Sequence, residues 1–155
     1  MKFTVNSIGE IRDENGPYIA LDPKYAPGLL GLEGFGHVVI VWVPNQLPPW
    51  SDDYLETPGP YTKGPARLGV FAGRGPMRPN PLCISVNRVT GIDAKNGTIR
   101  IEWTDAAPGS PVLDIKPYHP SEDRVREISV PAWCSHWPQW YEDSGEFGWE
   151  EEFNF

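Results

Sequence analysis

Proline and glycine punctuate this chain so densely that no long helix fits between them. Eighteen prolines and sixteen glycines make up about a fifth of the 155 residues. Each proline locks φ and removes a backbone donor, and each glycine adds backbone entropy that a helix would have to absorb. What fits between such breakers is a set of short strands joined by turns and irregular loops. The rest of the composition, 39% hydrophobic and 22% charged, is that of an ordinary globular domain of this length.

The apolar runs read accordingly. His37–Val43 is a continuous β-branched and aromatic run suited to a strand buried on both faces. Phe3–Ile8 and Leu68–Ala72 are shorter strand candidates. Leu82–Ile92 is followed by Asp93-Ala94-Lys95-Asn96-Gly97 and then by Thr98–Trp103, in which Ile99, Ile101 and Trp103 alternate with polar residues. Asn96-Gly97 supplies the positive φ angles of a tight turn, so this stretch is a β-hairpin. Val112–Ile115 and Val125–Val130 add strands, Leu29–Glu33 a helical turn, and the proline-rich stretch 44–66 a long loop. The expected fold is all-β: a single closed or nearly closed β-barrel with long loops over residues 1–130. Residues 131–155 carry Trp133, Trp137, Trp140, Phe147, Trp149, Phe153 and Phe155. Such rings demand burial, so this stretch is expected as an irregular aromatic strap packed on the barrel.

Charge is unevenly spread. The net charge is −8, yet residues 61–100 hold seven basic side chains against the single acid Asp93, and residues 139–155 hold six acids and no base. Either the basic middle meets a polyanion, or tail and middle neutralise each other on the surface. No apolar run approaches the ~18 residues of a membrane helix and MKFTVNSIGE lacks a signal-peptide core, so the expectation is a soluble cytoplasmic protein. Cys83 and Cys134 form no C-x-x-C pair and His37, His119 and His136 show no ligand spacing, so no metal is expected. P-loop, Rossmann, nucleophile-elbow and H-E-x-x-H motifs are all lacking.

Two segments carry chemistry. In Arg67–Pro81, Pro79 and Pro81 hold Arg78 and Asn80 extended, while Gly73 and Gly75 flank Arg74 and permit close approach or positive φ. This is either a stiffened ligand-binding loop or a rigid barrel corner with solvated arginines. In Asp105–Tyr118, strand alternation puts Asp114, Lys116 and Tyr118 on one face. They are either a site or a self-satisfied acid–base pair that positions a loop.

Three blocks resemble the TsaA-like, or TrmO, proteins: Gly31-Leu32-Glu33-Gly34-Phe35-Gly36-His37; Gly69-Val70-Phe71-Ala72 running on to Arg78-Pro79-Asn80-Pro81; and Pro111-Val112-Leu113-Asp114-Ile115-Lys116-Pro117-Tyr118. The resemblance implies a β-barrel with S-adenosylmethionine as cofactor. It also implies a homodimer with the cofactor near the subunit boundary, and methylation of N6 of threonylcarbamoyladenosine in tRNA. It places Arg74 on the arginine of the family's F-A-T-R-S stretch, a cofactor contact, and Arg78 and Asn80 on its R-P-N-P. Asp105, Gly109, Ser110 and Pro111 match its D-x-x-D-G-T-P stretch near the cofactor, and Asn45 and Gln46 follow the strand where it has a cofactor-contacting loop. The implied cofactor set is Arg74, Arg78, Asn45, Gln46, Asp105, Gly109, Ser110 and Pro111, with Asn80, Asp114 and Tyr118 as catalytic candidates. Gly73 and Gly75 stand where the family has threonine and serine, and its N-terminal P-R-Q has no counterpart. These departures leave a second reading: a cofactor-binding barrel with a small-molecule substrate, or a sensor or carrier.

Overall fold

Asn15 and Gly16 take left-handed backbone angles, φ 60° and 100°, in the computed structural model, which describes every residue from Met1 to Phe155. They reverse the chain between β1 (Gly9–Asp13) and β2 (Pro17–Leu21), the role an Asn-Gly step plays in hairpins. The sequence reading missed this hairpin because Pro17 demotes the run behind it; a proline is tolerated at the first strand position, where it stands. Phe3–Ile8, expected as a strand, is irregular, with Phe3 and Val5 exposed.

The chain continues through β3 (His37–Trp42), β4 (Glu56–Pro58), β5 (Arg67–Gly69), β6 (Cys83–Asp93), β7 (Thr98–Ile101) and β8 (Pro111–Pro117). Six strands, in the order β1-β2-β7-β6-β3-β8, close into an antiparallel barrel. Ile11, Ile19, Val38, Ile40, Ile99 and Val112 fill it, each at most 1% exposed, and each such burial contributes about 1.5–3 kcal/mol. A closed barrel has one interior, so β3 is not buried on both faces as expected: Val38, Ile40 and Trp42 point in, and His37, Val39 and Val41 are half-buried outside. On β6, Ser85 and Asn87 stand opposite Ile40 and Val38, so the polar positions face inward and Ile84 is 55% exposed. Asn87 donates its Nδ2 to the carbonyl of Trp103 at 2.6 Å.

The β6–β7 hairpin stands where the sequence puts it, but Gly97 alone supplies a positive φ, 65°. Asn96 instead bonds the Asp93 carboxylate through its backbone N and its Nδ2, at 3.1 and 2.7 Å. The helical turn lies upstream of Leu29–Glu33, as a 3-10 turn over Pro23–Leu29 that buries Leu29. Val125–Val130 is irregular and exposed rather than a strand.

The chain forms two compact units. The barrel unit comprises Met1–Pro48 and Asn80–Arg124, and the second unit Pro49–Pro79 and Val125–Phe155. In the second unit β4 pairs with β5, and residues 131–155 pack with part of the stretch read as a long loop. Tyr61 stacks on Trp133 at 5.1 Å between ring centroids and meets Trp137 and Phe153 at 5.2 and 5.8 Å. Trp149 extends the cluster to Trp137 and Phe153. Glu152 is 5% exposed and survives there because three donors reach it: His136 Nε2 at 2.7 Å, Trp137 Nε1 at 3.1 Å and Lys63 Nζ at 3.4 Å. Elsewhere in the basic middle, Arg67 pairs with Glu56 and Arg88 with Glu102, acids outside the C-terminal stretch, while Lys63–Glu152 joins the basic middle to the acidic end.

The His136 hydrogen bond, then that of Trp137, holds the Glu152 carboxyl below the ordinary carboxylate range. A depressed carboxyl stabilises the fold fully above its unfolded value and loses that contribution as pH falls through the folded one. The environment of the Trp133–Trp137–Trp149 cluster, followed by fluorescence, is therefore expected to hold at neutral pH and to loosen below about pH 4. Glu152→Gln should lower stability at neutral pH and narrow its difference from wild type in acid. An unchanged difference across the titration would rule out this role for the carboxylate.

Candidate functional site

Antiparallel pairing brings the C-terminal end of β3 and the N-terminal ends of β6 and β8 to one rim of the barrel. Asn45 and Gln46 leave that rim behind β3, Asn80 leads toward β6, and the 104–111 loop enters β8 there. Implied residues from three separate stretches of sequence thus gather at this rim, whereas Tyr118 lies beside His37 at the opposite end of β3. Gly109 turns the loop with φ +83°. Its N–H donates to Ile11 O at 2.8 Å, and Ile11 N–H returns a bond to Ser110 O at 2.9 Å. Asn45 donates Nδ2 to Pro108 O at 3.1 Å and accepts at Oδ1 from Ser110 Oγ at 3.4 Å. Ser110 is wholly buried; Asn45, Gln46, Asn80 and Asp105 are exposed.

Asp105 is oriented from inside the barrel. The Trp42 indole N–H donates to Ser85 Oγ at 2.8 Å, and Ser85 Oγ lies 3.2 Å from Asp105 Oδ1. The indole can only donate, so the serine hydroxyl uses a lone pair for it and turns its own proton to the carboxylate. Sequence reading passed over Trp42 and Ser85. The available signal was Ser85 alternating with aliphatic residues in the β6 run, but alternation alone does not say which set faces in.

Asp114 and Lys116 lie on the outer face of β8, since their partners Val41 and Val39 face out while Ile115 pairs with the buried Ile40. They form a 2.8 Å ion pair, the second of the two arrangements left open by the sequence. The hydrogen bond to Asp114, reinforced by its charge, raises the Lys116 pKa. Asp114 Oδ1 also accepts from Ile115 N–H at 2.9 Å, so both carboxylate oxygens are engaged. Tyr118 meets His37 edge-on, 6.2 Å between ring centroids.

In the second unit, Arg74 is exposed and Arg78 is half-buried. Arg78 Nη1 donates to Gly73 O at 2.8 Å and to Gly75 O at 3.1 Å. Neither glycine has a positive φ, so of the two uses the sequence allows them, close approach and positive φ, the second is not taken up.

A cavity of about 340 Å³ opens on the barrel unit, lined by Ser7, Glu10, Arg12 and Asp22 together with Gly109 and Pro111. Glu10 and Arg12 share a strand face and pair at 2.8 Å; that i, i+2 acid–base spacing was the overlooked sequence signal. No group of three or more His, Cys, Asp or Glu side chains is placed to hold a metal ion.

The model of the tRNA-methyltransferase O N-terminal domain matches residues 3–124. A probable S-adenosyl-L-methionine-binding protein of Halobacterium salinarum is 43% identical over 94 residues, 61% of this chain and 68% of that one. The tRNA (adenine(37)-N6)-methyltransferase of Escherichia coli is 32% identical over 133 residues, 83% of this chain and 56% of its own length. The crystal structure of TrmO from Pseudomonas aeruginosa matches with a TM-score of 0.65 at 30% identity, covering 83% of this chain and 61% of that one. This chain therefore spans only part of the length of the two latter proteins.

The rim makes a structural demand at one glycine. A Cβ on Gly109 would sit at positive φ and 3.2 Å from Asn45 Nδ2, so Gly109→Ala is expected to cost about 1–2 kcal/mol. Gly75→Ala, with nothing within 4 Å of its Cβ, should stay within about 0.5 kcal/mol of wild type. Thermal denaturation of the two variants side by side checks the contrast, and equal melting shifts would contradict it.

Proposed function

This chain belongs to the tRNA-methyltransferase O N-terminal-domain family, and from that premise we propose that it is an S-adenosylmethionine-dependent methyltransferase acting on an adenine nitrogen of tRNA. The names of its relatives support the cofactor and the substrate. The observation that carries the reading is the rim itself, where Asn45, Ser110 and the Ser85-oriented Asp105 stand as fixed polar groups.

The residues fit such a cofactor chemically. An amino-acid moiety and a ribose need both donors and acceptors, and Asn45 provides both while Asp105 provides acceptors. The cavity beside Gly109 and Pro111 is at the small end of the range for small-molecule sites. When bound, S-adenosylmethionine supplies a methyl group already activated by its sulfonium sulfur. The transfer forms a C–N bond, breaks a C–S bond and releases one proton. The chain's tasks are therefore to align the acceptor nitrogen and to let its proton pass to a base or to water, rather than to activate an electrophile. Asn45, Asp105 and Gly109 hold the cofactor, with the buried Ser110 bracing Asn45 from the interior and Gln46 and Pro111 shaping the edge. Arg74 is assigned to the same cofactor by its place in the family motif, as a charge-assisted partner for a carboxylate. Asp114, engaged at both oxygens, holds the outer edge of β8, and Asn80 serves the acceptor side; Tyr118, bonded to His37 at the far end of β3, stands away from this rim.

We place the protein in the cytoplasm as a homodimer. Leu82 and Ile84, at 46% and 55% exposure, leave apolar surface on or beside β6 that a second copy would cover. No helix is long and apolar enough to cross a membrane.

Calorimetric titration is expected to show binding of S-adenosylmethionine or its demethylated product, weakened at least about tenfold by Arg74→Ala. Mass spectrometry of nucleosides from tRNA incubated with protein and cofactor should then show a methylated adenosine. Binding without that product would restrict the chain to holding the cofactor, and no heat at all would remove the cofactor reading. Sedimentation at micromolar concentration should give twice the chain mass; a monomer that still binds would refute the dimeric site.

A further inference from the structure

The stretch that carries Arg74 contains a second arginine whose bonds point back into its own loop. Arg78 Nη1 donates to the carbonyls of Gly73 and Gly75, the two residues that bracket Arg74. The guanidinium carbon also lies 5.9 Å from the centre of the Phe71 ring, within cation–π range. Pro79 stiffens the start of this reach by holding Arg78 extended.

The glycines make the loop depend on that reach. Gly73 has an ordinary φ of −119°, and a Cβ there would meet Tyr61 Oη at 3.4 Å, an ordinary contact. A Cβ on Gly75 would meet nothing within 4 Å. Neither space nor backbone angle therefore requires glycine at these two positions. What two glycines do around Arg74 is widen the range of backbone conformations open to it. Two charge-assisted hydrogen bonds from one guanidinium to the flanking carbonyls narrow that range again.

We propose that Arg78 is a positioning residue: by clamping the Gly73 and Gly75 carbonyls it sets the direction of Arg74 and makes no ligand contact of its own. This rests on the reading of Arg74 as a cofactor residue. It also accounts for how a Gly-Arg-Gly loop can present a directed cation, since the loop's order comes from residue 78 and not from side chains at 73 and 75.

The test uses the full chain and two readouts. Without ligand, hydrogen exchange of the Gly73, Arg74, Gly75 and Met77 amides should quicken about tenfold in Arg78→Met, which keeps an apolar stem but removes every donor, and much less in Arg78→Lys, which keeps donors. With S-adenosylmethionine as the probe, Arg78→Met should lose about tenfold in affinity, and the Arg74→Ala/Arg78→Met pair should bind no more weakly than Arg74→Ala. Adding Gly75→Ala to Arg78→Met should restore part of the loss, because alanine reduces backbone freedom without strain at an ordinary φ; stiffening residue 75 could not replace a lost ligand contact. Unchanged exchange, additive losses in the pair, or no restoration by Gly75→Ala would each overturn the proposal. Failure of the wild-type chain to bind S-adenosylmethionine would instead overturn the cofactor reading, and exchange in the free protein would still decide for or against the clamp. Unaltered tryptophan fluorescence confirms folding of each variant; if Arg78→Met fails it, Arg78→Gln, which loses the charge and most of the reach, decides, with exchange equal to wild type and additive loss counting against the clamp.

Discussion

The seam between β1 and β8 is short, and both the barrel and the rim residues depend on it. Only Gly9↔Val112 and Glu10↔Pro111 are paired in register. The seam is extended by Ile8 N–H to Val112 O, Ile11 N–H to Ser110 O and Gly109 N–H to Ile11 O, all between 2.8 and 2.9 Å. Closing the sheet there removes the exposed edges that a six-strand antiparallel ribbon would otherwise leave. The same bonds fix Gly109 and Ser110 in place, and Asn45 then couples them to the end of β3. Closure and site assembly are one event in this structure, because the loop that finishes the barrel is the loop that carries the candidate contacts.

The two units solve burial differently. The barrel interior is aliphatic with a few polar side chains turned inward, such as Ser85 between the Trp42 indole and Asp105. The second unit has little regular structure, so its aromatic rings pack on one another around Tyr61. Desolvation pushes the Tyr61 hydroxyl above its ordinary pKa and keeps it neutral. One carboxylate, Glu152, ties the rings to Lys63 and His136. A charge so buried is tolerable because its donors come from both halves of that unit, which makes it a register pin for an otherwise irregular segment.

Local chemistry was legible wherever one short segment decides its own shape. The β6–β7 hairpin, the β3 run and the need of the C-terminal rings for partners all follow from composition and turn residues within a few positions. The Asn15-Gly16 hairpin was equally local, and was hidden by a proline that the strand start accommodates. Val125–Val130 shows the limit of the same reasoning: β-branched residues favour strands only where a neighbouring strand offers bonds, and this segment has none.

What the sequence by itself determined is therefore the class of the fold, its punctuation and the residue types held ready: short strands, stiff loops, and arginine, asparagine and aspartate beside glycine and proline. Tertiary structure decided which faces those residues present and what they touch. β6 could bury either Ile84 and Val86 or Ser85 and Asn87, since both sets have the same period. Pairing with β3 chose the second, because a small closed interior already filled by Ile40, Val38 and Trp42 leaves room for compact side chains that can bond. In the same way, the order of residues puts both Arg74 and Arg78 in the candidate cofactor set. Only the fold of their loop turns Arg78 back onto two carbonyls, because a hydrogen bond depends on where the backbone has carried its acceptor, and that position is a property of the folded chain.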